Sequence, residues 1–141
     1  MTTNWTVLIF LLAIVIVGIL VIGVIMVTKK GERHLDVDKF RSRWLTIEQT
    51  LARDEPSSYV LAILEADKLL DMALRERGIA GTTMGERMKA FQARWSDANV
   101  VWNAHKLRNK IAHESDFRPN YDEARRALSG FKRGLKDAGA I

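Results

Sequence analysis

Residues 5–27 read WTVLIFLLAIVIVGILVIGVIMV, and this stretch divides the chain in two. No Asp, Glu, Lys, Arg or His occurs anywhere before residue 29. Coiled as a helix at about 1.5 Å per residue, the stretch covers about 34 Å, enough to cross a hydrocarbon layer of ~30 Å. Backbone groups in lipid must bond to one another, so a helix is the expected form. Gly18 and Gly23 are ordinary in such a span, although poor in a water-exposed helix. A cleaved leader fits less well. No basic residue precedes the run, the run is longer than a usual leader core, and no A-x-A-like site follows it. The flank MTTNW carries no side-chain charge, whereas Lys29, Lys30 and Arg33 follow the run. Basic flanks stay in the cytoplasm, which predicts a single-pass anchor over 1–28 with its N-terminus out. Trp5 then sits at the outer interface.

Working outward, every charge lies in residues 29–141, about 113 positions, the size of one small domain. The formal net charge is +5, and there is no cysteine, so the domain uses no disulfide. Residues 29–35 read as a polar juxtamembrane linker and 36–141 as the domain proper. No alternating strand pattern appears in it. Phe40, Trp44, Ile47 and Leu51 fall on one helical stripe over 36–53. After DEPSS, a second helix over 57–77 gathers Val60, Ile63, Leu64, Leu70 and Leu74, and Gly78 stops it. Thr83 and Glu86 match a capping box opening a helix near Met84 that carries Met88, Phe91 and Trp95. Ser96 or Asp97 caps a fourth helix reaching Glu114. A fifth runs over 121–136 with Ala124, Leu128, Phe131 and Leu135 in phase. The fold class is all-α, a single transmembrane helix followed by a four- to five-helix bundle.

Two positions on the second domain helix ask for partners. Asp67 and Asp71 fall within its apolar arc, one turn apart. A carboxylate facing a core needs a cation or hydrogen-bond donor. At least one of the two is therefore expected to meet an Arg, Lys or His from another helix.

The chemistry concentrates in VVWNAHKLRNKIAHE, residues 100–114. On a helical wheel Val100, Ala104, Leu107 and Ile111 cluster and are expected to face the core. Trp102, His105, Asn109 and His113 fall opposite, the last three stacked four residues apart, with Arg108 beside them. A large aromatic turned outward predicts a second packing surface. Histidine moves protons near neutral pH, arginine clamps phosphate oxygens, and asparagine orients either group. The set suits a phosphodiester. No cysteine or serine elbow offers acyl transfer, and His105 and His113, two turns apart without a carboxylate set, make a poor metal site.

Arg108-Asn109-Lys110-Ile111-Ala112-His113 resembles the R-x4–6-H motif of HEPN domains, including the polar residue that commonly follows the arginine. The resemblance spans roughly residues 36–137, with only the six-residue motif sharp. It implies an all-helical domain whose active members are metal-independent endoribonucleases, some of toxin or defence type, needing no cofactor. They dimerise so that two motifs form one composite site. Arg108 would orient the scissile phosphate. His113 would be general base or acid, with the RNA 2′-hydroxyl attacking, and Asn109 would position both. His105, Trp102, Asp67 and Asp71 would support the site. The membrane anchor departs from the usual soluble members.

A second reading is a membrane-anchored interaction or nucleotide-binding module without chemistry, serving a protein partner, in which the motif residues tie helices together. A third rests on charge. Between Asp97 and Lys136 there are nine Lys/Arg against five Asp/Glu. Lys106, Lys110, Arg125, Arg126, Lys132 and Arg133 would then bind RNA or lipid, the last four sharing one helical face with Ser129.

Overall fold

The computed structural model describes residues 2–28 and 33–141. It divides into two units, residues 1–32 and 33–141. The first is the helix α1, Thr2–Thr28. Its segment Asn4–Met26 is long and apolar enough to cross a membrane. Its side chains from Asn4 to Met26 are exposed. Lys29 and Lys30, which carry the orientation argument, lie outside the described residues.

The second unit is a bundle of five α-helices, α2 (Val37–Thr50), α3 (Pro56–Glu76), α4 (Met84–Ala90), α5 (Ala98–His113) and α6 (Tyr121–Asp137). A 3-10 turn at Gln92–Arg94 follows α4, and no strand occurs among the described residues. The all-helical class and the helix count match the sequence expectation. The expected single helix from Met84 that carries Trp95 is instead α4 plus the short turn. Trp95 adopts extended backbone and donates its indole N–H to the Met88 carbonyl. The long α3 is the centre of the bundle, packing on α2, α4, α5 and α6. Phe40, Phe91, Phe131, Ile63, Leu70 and Leu74 are fully buried around it.

The ends are set by local chemistry. Asp36, Asp97 and Asn120 accept from the backbone amides of Lys39, Val100 and Glu123 and so start α2, α5 and α6. At α6 the Glu123 carboxylate returns the favour to the Asn120 amide at 2.9 Å, a full capping box that the sequence reading did not identify. At α4 the expected box is half made. Thr83 caps Glu86, but the Glu86 carboxylate reaches past Thr83 to the amide and hydroxyl of Thr82, at 2.6 and 2.7 Å. Gly78, at φ +82°, ends α3 in the left-handed conformation that a Cβ disfavours.

The hydrogen bonds from the Thr82 hydroxyl and amide, with a lesser contribution from the nearby Thr83 backbone, hold the Glu86 carboxyl below its usual range. A carboxyl lowered in the folded state stabilises above its unfolded value, and that contribution disappears as pH falls through the lowered one. Glu86→Gln is therefore expected to lower the melting temperature near neutral pH. The variant and parent curves should converge in acid, as thermal melts across pH would show.

Helices α5 and α6 approach unusually closely at Gly130. A Cβ built there would lie 2.6 Å from the Val100 carbonyl oxygen and 3.0 Å from the Ala104 Cβ. The first of these is backbone and cannot swing aside. Gly130→Ala is expected to cost about 1–3 kcal/mol by prising the helices apart, measured as the denaturation midpoint of the full chain in detergent.

Candidate functional site

Helix α3 presents Asp67 and Asp71 to α5 and α4. Asp67 is 5% exposed. His105 Nδ1 lies 2.7 Å from its Oδ1, and Arg108 Nε forms an ion pair with its Oδ2 at 3.2 Å. Asp71 takes both Nε and Nη2 of Arg87, at 2.8 and 2.6 Å, and Arg75 Nη2 at 2.8 Å. Both carboxylates therefore meet a cation or imidazole from another helix. Arg87, 4% exposed, also donates to the Gly81 carbonyl, tying the α3–α4 loop to α3. The sequence reading asked for such a partner but did not name Arg87. Its only signal was an arginine beside Met88 on a helix with an apolar side.

Four residues close into a ring. Arg108 Nη1 donates to Asn109 Oδ1 at 3.1 Å. That contact fixes which end of the amide is oxygen, so Asn109 Nδ2 is the group 3.2 Å from His105 Nε2. An amide N–H can only donate, so Nε2 accepts. The ring proton then sits on Nδ1 and is donated to Asp67 Oδ1. Asp67 closes the circuit through its ion pair with Arg108. Arg108, its side chain about one third exposed, lines an open groove of about 690 Å³ with Asp67, Asp71, Arg75, Arg87 and Asn109, among others.

This arrangement corrects the wheel. His105 was expected outward but is buried at 7% exposure, with Val101 and Ala104. Val100, Leu107 and Ile111, expected in the core, are only half-buried at its edge. The helix is turned by nearly one residue step, about 80°. The physical reason is that a histidine with its Nδ1–H on a carboxylate is compatible with a core, while Gly130 draws α6 against Val100 and Ala104. Trp102 is likewise not a free outward aromatic. It is half-buried, with Nε1 donating to Gln92 Oε1 at 2.9 Å and its ring edge-on to His105.

His113 does not join the ring. It ends α5, is exposed, and makes no hydrogen bond or ion pair among the described residues. Lys106 and Lys110 are exposed on its side of the helix. Lys110 also lies 4.0 Å from Glu114 and 4.1 Å from the Phe117 ring centre. The basic residues of α6 do not act as one free patch. Lys132 is paired with Glu48 at 2.6 Å and Arg133 with Asp97 at 3.3 Å. Arg125 and Arg126 are exposed without such partners. Burial pushes the Glu48 carboxyl up, but the Lys132 hydrogen bond and the charges of Lys132 and Lys136 outweigh it, leaving the group below its usual range.

The geometry thus brings together Asp67, His105, Arg108 and Asn109 in one groove, with Asp71 and Arg87 alongside, and leaves His113, Lys106 and Lys110 on a different side of α5. No three His, Cys, Asp or Glu side chains converge among the described residues. No family model matches this chain, and neither a curated protein nor a solved structure does.

Proposed function

We propose that the chain is a membrane-tethered, metal-independent endoribonuclease of HEPN type, with Arg108 and His113 acting in a composite site formed by two copies. The observation that carries this reading is the contrast between the two motif residues. Arg108 is held by Asp67 and Asn109 and is about one third exposed beside the groove. His113 is exposed and uncommitted. Five residues apart on one helix, they diverge by about 140° around the axis and ~7.5 Å along it. One copy therefore does not readily aim both at the same phosphate, which favours pairing the Arg108 of one copy with the His113 of another.

In this reading the Arg108 guanidinium takes the non-bridging phosphate oxygens and stabilises the charge that develops on them. His113 removes the 2′-hydroxyl proton as that oxygen attacks phosphorus. Water protonates the departing 5′ oxygen and the His113 imidazolium releases its proton to solvent, leaving a 2′,3′-cyclic phosphate and a 5′-hydroxyl. Lys106 and Lys110 lie on the side of His113, suited to flanking phosphates. Helix α1 is read as the single span, and the flanking basic residues favour a cytoplasmic domain.

One observation favours the second reading, a non-catalytic interaction module. His105, Asn109 and two nitrogens of Arg108 are spent on the internal ring. The discriminating experiment incubates the full chain, in detergent and at concentrations that support dimers, with mixed RNA and excess EDTA. EDTA-resistant cleavage that depends on His113 supports the nuclease. No cleavage by the parent protein shifts the assignment to the module, and equal cleavage by parent and His113→Ala removes the motif from the mechanism.

A further inference from the structure

The face between α2 and α6 carries chemistry that the ring does not use. Leu45 is 55% exposed, and in residues 33–141 only Leu61, at 52%, is a comparably exposed large apolar side chain. Arg41 stands one turn before Leu45, and with Lys132 and Lys136 of α6 they border a surface groove of about 550 Å³. A second depression of about 310 Å³, sharing Trp44, Glu48 and Lys132 with the first, is bordered by Arg125 and Ser129. Across the two, Arg41, Arg125, Lys132 and Lys136 stand against one side-chain carboxylate, Glu48, which Lys132 already neutralises.

We propose that this α2/α6 face seats on anionic phospholipid headgroups of the membrane that α1 enters, with Leu45 in the headgroup layer and Arg41, Arg125, Lys132 and Lys136 beside the phosphates. The inference rests on reading α1 as a span. Three observations carry it. The face pairs cations with one protruding leucine, the combination that binds a charged interface with an apolar layer beneath. Arg41 and Leu45 lie in the second and third turns of α2, the domain helix nearest the anchor in sequence. The eight positions 29–36 can span at most about 28 Å, which gives a face tethered through them a high effective concentration at the bilayer. Single-stranded RNA fits the face less well. Its one indole, Trp44, is 3% exposed and offers no platform on which a base can stack.

The absence of cysteine makes a direct test simple. Leu45→Cys carries one environment-sensitive fluorophore, with Leu61→Cys as the equally exposed control in a separate groove lined by Arg43, Thr46 and Met72. The full chain is reconstituted in nanodiscs of phosphatidylcholine alone, or with roughly one phosphatidylglycerol in three, and co-elution with the discs checks the span independently. The expected result is a blue shift and intensity gain at Leu45 in anionic discs alone, with Leu61 unchanged. The shift should vanish in about 0.5 M NaCl, where screening shortens to ~4 Å, and in the Arg41→Glu/Lys136→Glu variant. A chain that enters discs while its Leu45 label reports water in both lipids overturns the docking and leaves the span standing. Equal shifts at both labels overturn the choice of face. A shift produced by added RNA in zwitterionic discs, and not by anionic lipid, reassigns the face to nucleic acid. Failure to enter discs overturns the span and the docking together.

Discussion

His113→Ala is expected to reduce RNA cleavage by at least about 100-fold while leaving the melting temperature of the full chain within about 1–2 °C of the parent. The two halves of this expectation have separate sources. The loss follows from the role proposed for the imidazole as the group that moves the 2′-hydroxyl proton, which touches the reacting atoms and has no obvious substitute among its exposed neighbours Lys106 and Lys110. The unchanged stability follows from the structure. The side chain is exposed and has no hydrogen-bond or ion-pair partner among the described residues. Its only structural contribution is a weak one to the C-terminal turn of α5, worth a few tenths of a kcal/mol. Arg108→Ala is a poorer probe, because it removes a partner of buried Asp67 and confounds folding with chemistry. Single-turnover rates should fall in His113→Ala with RNA affinity preserved, the pattern of an interaction made in the transition state. A variant that cleaves at the parent rate would remove His113 from the reaction and leave the interaction-module reading in its place.

The parts of this molecule that were legible in the sequence are those governed by local periodicity and composition. The uncharged run before residue 29, the stripes of α2 and α6, and the stop at Gly78 are each decided by neighbours a few residues away. The need of Asp67 and Asp71 for partners was legible as well, because a carboxylate within an apolar arc is costly wherever the rest of the chain lies. The phase of α5 was not. A wheel ranks side chains by polarity and so turns His105 outward, whereas Asp67 on α3 makes it a core residue. Leu107 and Ile111 were assigned to the centre because they are apolar, yet Val101 and His105 occupy it. Gly130 completes the error. Its missing side chain lets the Val100 carbonyl approach α6, and a glycine carries no vote on a wheel. The consequence for the site is specific. The stack His105, Asn109 and His113 reads as one outward line, but the fold buries its first member, half-buries its second and exposes its third.

Asp67→Ala is expected to cost about 2–4 kcal/mol, since a buried hydrogen-bonded ion pair is broken from one side. For a domain of this size that lowers the melting temperature by roughly 10–25 °C. The carboxylate bridges His105 and Arg108 on the buried side of the ring, as Asn109 bridges them on the other. Without it, the His105 Nδ1–H is left in the core with no acceptor, while Arg108, one third exposed, recovers water and so contributes less to the loss. Asp67→Asn should fall between variant and parent, because an amide oxygen still accepts from His105 but no longer balances the guanidinium. The instructive comparison is Asp67→Leu/His105→Leu. Replacing both buried partners by apolar groups of similar volume removes the unmet donor along with its acceptor, and much of the lost stability should return. Arg108 and Asn109 would then stand in a folded domain with only their mutual hydrogen bond to fix the guanidinium plane and the amide orientation. If the ring exists to aim Arg108 at a phosphate, this restored variant cleaves RNA poorly, with the deficit in turnover rather than in affinity. If the ring only joins α3 to α5, the variant folds and retains whatever the parent does. Denaturation midpoints and cleavage rates measured on the same preparations separate these outcomes, because stability and activity are predicted to part company in this one double variant.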